Sequence, residues 1–142
     1  MRTRAGDFTV FLFTAREMPL SARRSMTVQN LATQVPFTTK DGSTIRSLLD
    51  RTNAPVRQQS LAEARVPEGV ATERHYHRAS EEFYYVLGGS GKMHLDDEVR
   101  VVGPGDAILI PPGTWHFIAA ESDLLFLCCC APPYSHDDTF FV

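Results

Sequence analysis

Gly69 to Gly89 reads G-V-A-T-E-R-H-Y-H-R-A-S-E-E-F-Y-Y-V-L-G-G, and Gly105 to His116 reads G-D-A-I-L-I-P-P-G-T-W-H. His75 and His77 stand two apart, Glu82 follows five residues after His77, and the second stretch adds His116. Alternate side chains of a β-strand leave the same face, so His75 and His77 can reach one point just off a sheet. Glu82 opens E-F-Y-Y-V-L, an aromatic and β-branched run that predicts the next strand. Three imidazoles and a carboxylate converging on one point make a metal site. Imidazole suits zinc, copper, iron and nickel, and a carboxylate admits harder ions such as manganese.

An isolated H-x-H on a strand is ordinarily an exposed pair or a hydrogen-bonded core histidine. Here the turn residues decide. Gly69 precedes His75 by six residues, Gly88-Gly89 closes the strand after Glu82, and Pro111-Pro112-Gly113 makes a tight turn before His116. Such punctuation marks short strands joined by turns that hold ligands at fixed offsets.

These residues resemble the cupins. The first cupin motif, G-x5-H-x-H-x(3 or 4)-E-x6-G, is matched by Gly69, His75, His77, Glu82 and Gly89 in its four-spacer form. The second, G-x5-P-x-G-x2-H-x3-N, is matched by Gly105, Pro111, Gly113 and His116. Ala120 replaces the closing asparagine, a position that is not a metal ligand in the family. Glu81 fits the three-spacer form ending on Gly88 and is the second choice of carboxylate. The fifteen residues between Gly89 and Gly105 look like the short spacing of small bacterial cupins. The resemblance implies an all-β fold, a double-stranded β-helix or jelly-roll barrel with one short helix. It also implies His75, His77, Glu82 and His116 as ligands of one divalent ion, iron, manganese, nickel, copper or zinc. Relatives commonly pair through outer strands, so a homodimer is expected.

The 142 residues suffice for one domain with a sizeable core. With 43% hydrophobic residues and a net charge of -3, the composition is that of an ordinary globular protein. It is not basic enough to suggest a nucleic-acid partner, and no apolar run is long enough to span a membrane. The three cysteines, Cys128, Cys129 and Cys130, are consecutive and cannot staple distant segments. They read as small apolar residues of a buried strand, and reduced thiols point to a cytoplasmic location.

Residues 1–25 form an N-terminal extension ahead of a cupin domain at 26–142. The extension is either an extra or partner-exchanged strand or a segment upstream of a true start at Met26, whose M-T-V-Q-N-L resembles the usual opening of small cupins. Arg16 and Glu17 interrupt its apolar run too early for a signal peptide. Ser43 can cap a short helix in which Ile45, Leu48 and Leu49 share a face, packed on the barrel exterior. Val56 to Val66 reads as a strand, G-G-S-G as a hairpin into K-M-H-L, and A-I-L-I as a fully buried strand. Trp115 is expected in the core, His94 in a structural or surface role, and His136, Asp137 and Asp138 in solvent. Tyr84 shares a face with Glu82 and is the candidate catalytic residue, its hydroxyl orienting substrate or a bound water.

Three neutral imidazoles and one carboxylate leave a divalent ion net positive, and an octahedral ion keeps two adjacent positions. That serves oxidative cleavage by an iron or manganese dioxygenase acting on a small oxygenated molecule, the favoured expectation. It equally serves a metal-dependent isomerase or lyase of a sugar or keto acid. A metal-containing ligand-binding module without turnover is the remaining alternative.

Overall fold

Strands dominate because most segments between turn residues alternate apolar and polar or carry β-branched runs. The computed structural model describes residues 25–142. In chain order the strands are β1 (Phe37–Thr38), β2 (Thr44–Leu49), β3 (Ser60–Val66), β4 (His75–His77), β5 (Glu81–Gly88) and β6 (Gly91–Leu95). There follow β7 (Glu98–Val102), β8 (Ala107–Ile110), β9 (His116–Ala120), β10 (Leu124–Ala131) and β11 (Thr139–Phe141). They form a six-stranded sheet, β1-β2-β3-β10-β5-β8, and a five-stranded sheet, β11-β4-β9-β6-β7. The pairings are antiparallel, and this is the jelly-roll barrel.

β5 shows why the sheets stack. Its burial alternates strictly, with Glu82, Tyr84 and Val86 inside and Phe83, Tyr85 and Leu87 outside. Inward residues of both sheets meet in one core: Val66, Val86 and Phe126 from the larger, Met93, Val102 and Ile118 from the smaller. Each such side chain contributes about 1.5–3 kcal/mol by leaving water. The histidines adjoin this core, whose Ala64, Tyr84 and Phe126 line the same cleft as His75 and His77.

The structure corrects several local expectations. Ser43 caps no helix, because Thr44–Leu49 is strand β2, paired with β3 so that Ile45 lies opposite Ala64 and Arg46 opposite Glu63. Three apolar residues within five positions satisfy helical and extended spacing alike, and sheet pairing wins. Nor does β2 merely pack outside: Ile45 and Ser47 line the central cleft. β3 starts at Ser60, not Val56, because the Asp50–Asn53 turn and Pro55 hold the preceding chain in a loop. Gly88 to Gly91 makes no hairpin; β5 and β6 belong to different sheets, and the chain crosses between them. β8 is an edge strand with Leu109 52% exposed, so A-I-L-I is half-buried. Trp115 lies outside the core, edge-on to Tyr76 at 4.7 Å and under the Arg74 guanidinium. The expectations for residues 1–24 fall outside the described residues. Among the described residues no helix is long and apolar enough to cross a membrane.

Candidate metal centre

β4 lies between β11 and β9 in the smaller sheet, and His75 is directly opposite His116. His75 and His77, alternate residues of β4, both point inward. Glu82 enters from β5 in the larger sheet, so the cluster closes only when the two sheets stack. One donor atom from each of His75, His77, Glu82 and His116 lies within 4.8 Å of all the others. All four side chains are buried, and His116 has no exposure at all. Glu81, the second choice, is exposed on the outer face of β5 and cannot reach the cluster.

Hydrogen bonds fix the imidazole tautomers. His75 Nδ1–H donates to the Glu73 carbonyl at 2.7 Å and His116 Nδ1–H to the Thr114 carbonyl at 3.0 Å, since a carbonyl only accepts. Thr139 gives its hydroxyl proton to the Ser135 carbonyl at 2.9 Å and therefore accepts from His77 Nδ1–H at 3.1 Å. Each ring thus turns an Nε2 lone pair inward, the state a metal ligand requires. Burial, reinforced by the nearby His116 ring, pushes the His75 pKa down and keeps that imidazole neutral.

Two contacts then call for a cation. His77 Nε2 and Glu82 Oε2 face each other at 3.1 Å, acceptor against acceptor in these tautomers, which is favourable only around a shared proton or ion. His116 Nε2 is buried without a hydrogen-bond partner; Glu82 Oε2 stands 3.4 Å away, outside hydrogen-bonding geometry. Burial alone would raise the Glu82 pKa; hydrogen bonds and positive charge from the His116 and His77 side would lower it, and in the tautomers above only a bound ion can supply that charge. An ionised carboxylate beside three inward lone pairs fits a divalent ion.

Three of the four, His75, His77 and Glu82, line a cleft of ≈ 80 Å³. Tyr84 lines it, its ring 4.5 Å from that of Phe126 and 6.3 Å from that of His116. Burial and the Glu82 charge push the Tyr84 pKa well up, so its hydroxyl keeps its proton. Asp41, in the β1–β2 turn, lines the cleft with its Oδ1 held by the Thr39 and Ser43 hydroxyls and the Ser43 amide. Cys128 and Cys130 line it from β10, and all three cysteines are free thiols.

Sequence reasoning missed the support from the C-terminus. Asp138 is not simply solvated: its carboxylate accepts from the Ala79 and Ser80 amides at 2.9 and 3.0 Å, pinning the β4–β5 loop between His77 and Glu82. The signal that could have found this segment is the triplet Thr139-Phe140-Phe141, β-branched and aromatic like a strand. Glu73 acts through its main chain, its side chain being exposed. His94 stacks on Phe117 at 4.0 Å, away from the cluster.

A cupin-domain family profile matches residues 62–130, which carry all four donors. An uncharacterized protein of Methanocaldococcus jannaschii is 52% identical over 106 residues, covering 73% of this chain and 85% of its own. Among solved structures, the Streptomyces nucleoside dehydratase Pac13 is 19% identical with a TM-score of 0.71, over 83% of this chain and 92% of its own. Oxalate decarboxylase of Bacillus subtilis is 22% identical with a TM-score of 0.70, over 87% of this chain and 34% of its own. At these identities the structures speak for the fold alone. Taken with the two motifs and the stacked sheets that bring their donors together, the matches make this chain a member of the cupin family.

Proposed function

We propose that the protein is a metal-dependent enzyme acting on a small oxygenated molecule, with elimination or decarboxylation as its reaction class. The observation that carries this reading is the buried His75, His77, Glu82 and His116 cluster, three of whose members line a small cleft. A divalent ion held there would polarise a substrate carbonyl or carboxylate and stabilise the charge that develops as a neighbouring bond breaks. The chain's own contribution is positional. The outward Nδ1 bonds keep the three rings aimed, and burial excludes bulk water. In this reading the Tyr84 phenol, which lines the cleft, donates a hydrogen bond to a substrate oxygen.

Dioxygenase chemistry with iron or manganese is the second reading. It is favoured by the donor count, since four protein ligands leave room for both a substrate oxygen and dioxygen on a six-coordinate ion. The two readings separate in one experiment. Protein loaded with manganese, iron or zinc is offered small hydroxy acids, keto acids and diketones, with product and dissolved oxygen followed together. Turnover under argon supports elimination or decarboxylation, whereas oxygen uptake in step with product supports the dioxygenase. Protein that retains no metal under any loading condition refutes both and leaves a ligand-binding module. A homodimer in a reducing, cytoplasmic setting completes the proposal. It is supported by the free thiols and by exposed Phe83, Tyr85, Leu87 and Leu109 on the outer face of the larger sheet.

A further inference from the structure

We propose that Cys130 is a positioning residue for Glu82, its thiol holding one carboxylate oxygen so that the other faces the three histidines. This rests on the metal-centre reading given above. Cys130 on β10 lies directly opposite Glu82 on β5, both side chains pointing inward. The Cys130 Sγ donates to Glu82 Oε1 at 3.4 Å, while Oε2 stands 3.1 Å from His77 Nε2 and 3.4 Å from His116 Nε2. The two oxygens therefore have separate partners. A carboxylate only accepts, so the thiol that bonds it keeps its proton.

The need for an anchor follows from the torsion. The terminal bond of a glutamate is soft and roughly two-fold, so nothing intrinsic fixes which oxygen meets the histidines or at what tilt. Among the described residues no other hydrogen bond reaches Oε1. The sulfur is not a member of the donor cluster, whose mutually close atoms come from His75, His77, Glu82 and His116. Its effect passes through the carboxylate: with Oε1 engaged, Glu82 offers an ion one oxygen instead of two, which leaves more of the ion's coordination to substrate. Removing a group that orients a metal ligand weakens metal binding by about 10–100-fold in known sites.

The test uses the full chain stripped of metal and titrated with Co²⁺, whose visible spectrum reports its coordination. Parent, Cys130→Ser, Cys130→Val and Glu82→Gln are compared, with the thermal midpoint of each metal-free protein measured alongside. Serine keeps the donor; valine removes it while staying apolar and slightly larger, and the thermal midpoint reports any overpacking. Positioning predicts that Cys130→Val binds Co²⁺ about tenfold more weakly with an altered visible band, while Cys130→Ser stays within about threefold of the parent. A merely structural role would lower the midpoint of Cys130→Val and leave the affinity of its folded fraction and the spectrum unchanged, which overturns the proposal. A sulfur-to-cobalt charge-transfer band in the parent, lost in Cys130→Ser, also overturns it, because Cys130 would then be a ligand. Failure of the parent itself to bind Co²⁺, Mn²⁺ or Fe²⁺ overturns the metal-centre reading and this inference together. Parent-like binding by Cys130→Val overturns this inference alone.

Discussion

Each histidine of the cluster directs its Nδ1 proton to a fixed acceptor outside the centre, and single-atom changes there carry the sharpest tests. Thr139→Val removes the acceptor of His77 Nδ1 while preserving shape, so divalent-metal affinity is expected to fall about tenfold by titration. Glu82→Gln removes the anionic donor and should abolish tight binding, whereas Glu81→Gln, on the outer face, should bind like the parent. Tyr84→Phe separates chemistry from binding. Metal content is expected to stay at the parental value while turnover of an identified substrate falls about 10²-fold or more, the usual loss for a general acid or donor. The donor residues were legible in the motif spacing. Cys130, Thr139 and Asp138 were not, because each earns its role from a partner 48 to 62 positions away.

Elements meet this centre through turns, and two turns show how differently glycine can matter. Gly89 has φ +76°, and an added Cβ would stand 2.1 Å from the Asp123 carbonyl oxygen, a backbone atom that cannot yield cheaply. Gly105, at φ +92°, faces open space. Gly105→Ala is expected to cost about 1–2 kcal/mol for the left-handed backbone alone, and Gly89→Ala clearly more, by denaturant unfolding. At the β4–β5 loop, burial is the largest single influence on Asp138 and opposes its ionisation, but hydrogen bonds from the Ser80 and Ala79 amides and the Ser80 hydroxyl together outweigh it and hold its pKa below the ordinary aspartate value. A carboxyl depressed in the folded state contributes stability above its unfolded pKa and loses it as pH falls through the folded value. Stability is therefore expected to decline below about pH 4, with Asp138→Asn flattening that acid limb and costing about 1 kcal/mol at neutral pH.

Among the described residues, one face of the larger sheet is left uncovered. Leu109, Phe83 and Cys129 lie side by side across β8, β5 and β10, with Tyr85 beside Leu127 in the next row, and Phe83, Tyr85, Leu87 and Leu109 are 43–52% exposed. A contiguous apolar strip of this kind marks an association surface. Sedimentation equilibrium is expected to give a dimer, and Phe83→Asp with Tyr85→Asp a monomer that keeps its metal. A parent protein that is monomeric at high concentration would refute the pairing.

Local chemistry by itself determined the family, the barrel class and the four converging donors, because histidine and carboxylate offsets on short strands are rigid and glycine and proline mark where strands end. Only the tertiary structure decided that Thr44–Leu49 is a strand, that β5 and β6 lie in different sheets, and that Trp115 sits outside. Such choices turn on sheet pairing between distant segments, where a short apolar run fits either conformation until its neighbour is in place. The same holds for the thiol on Glu82: β10 must settle beside β5 before a cysteine in an apolar strand acquires a carboxylate to hold.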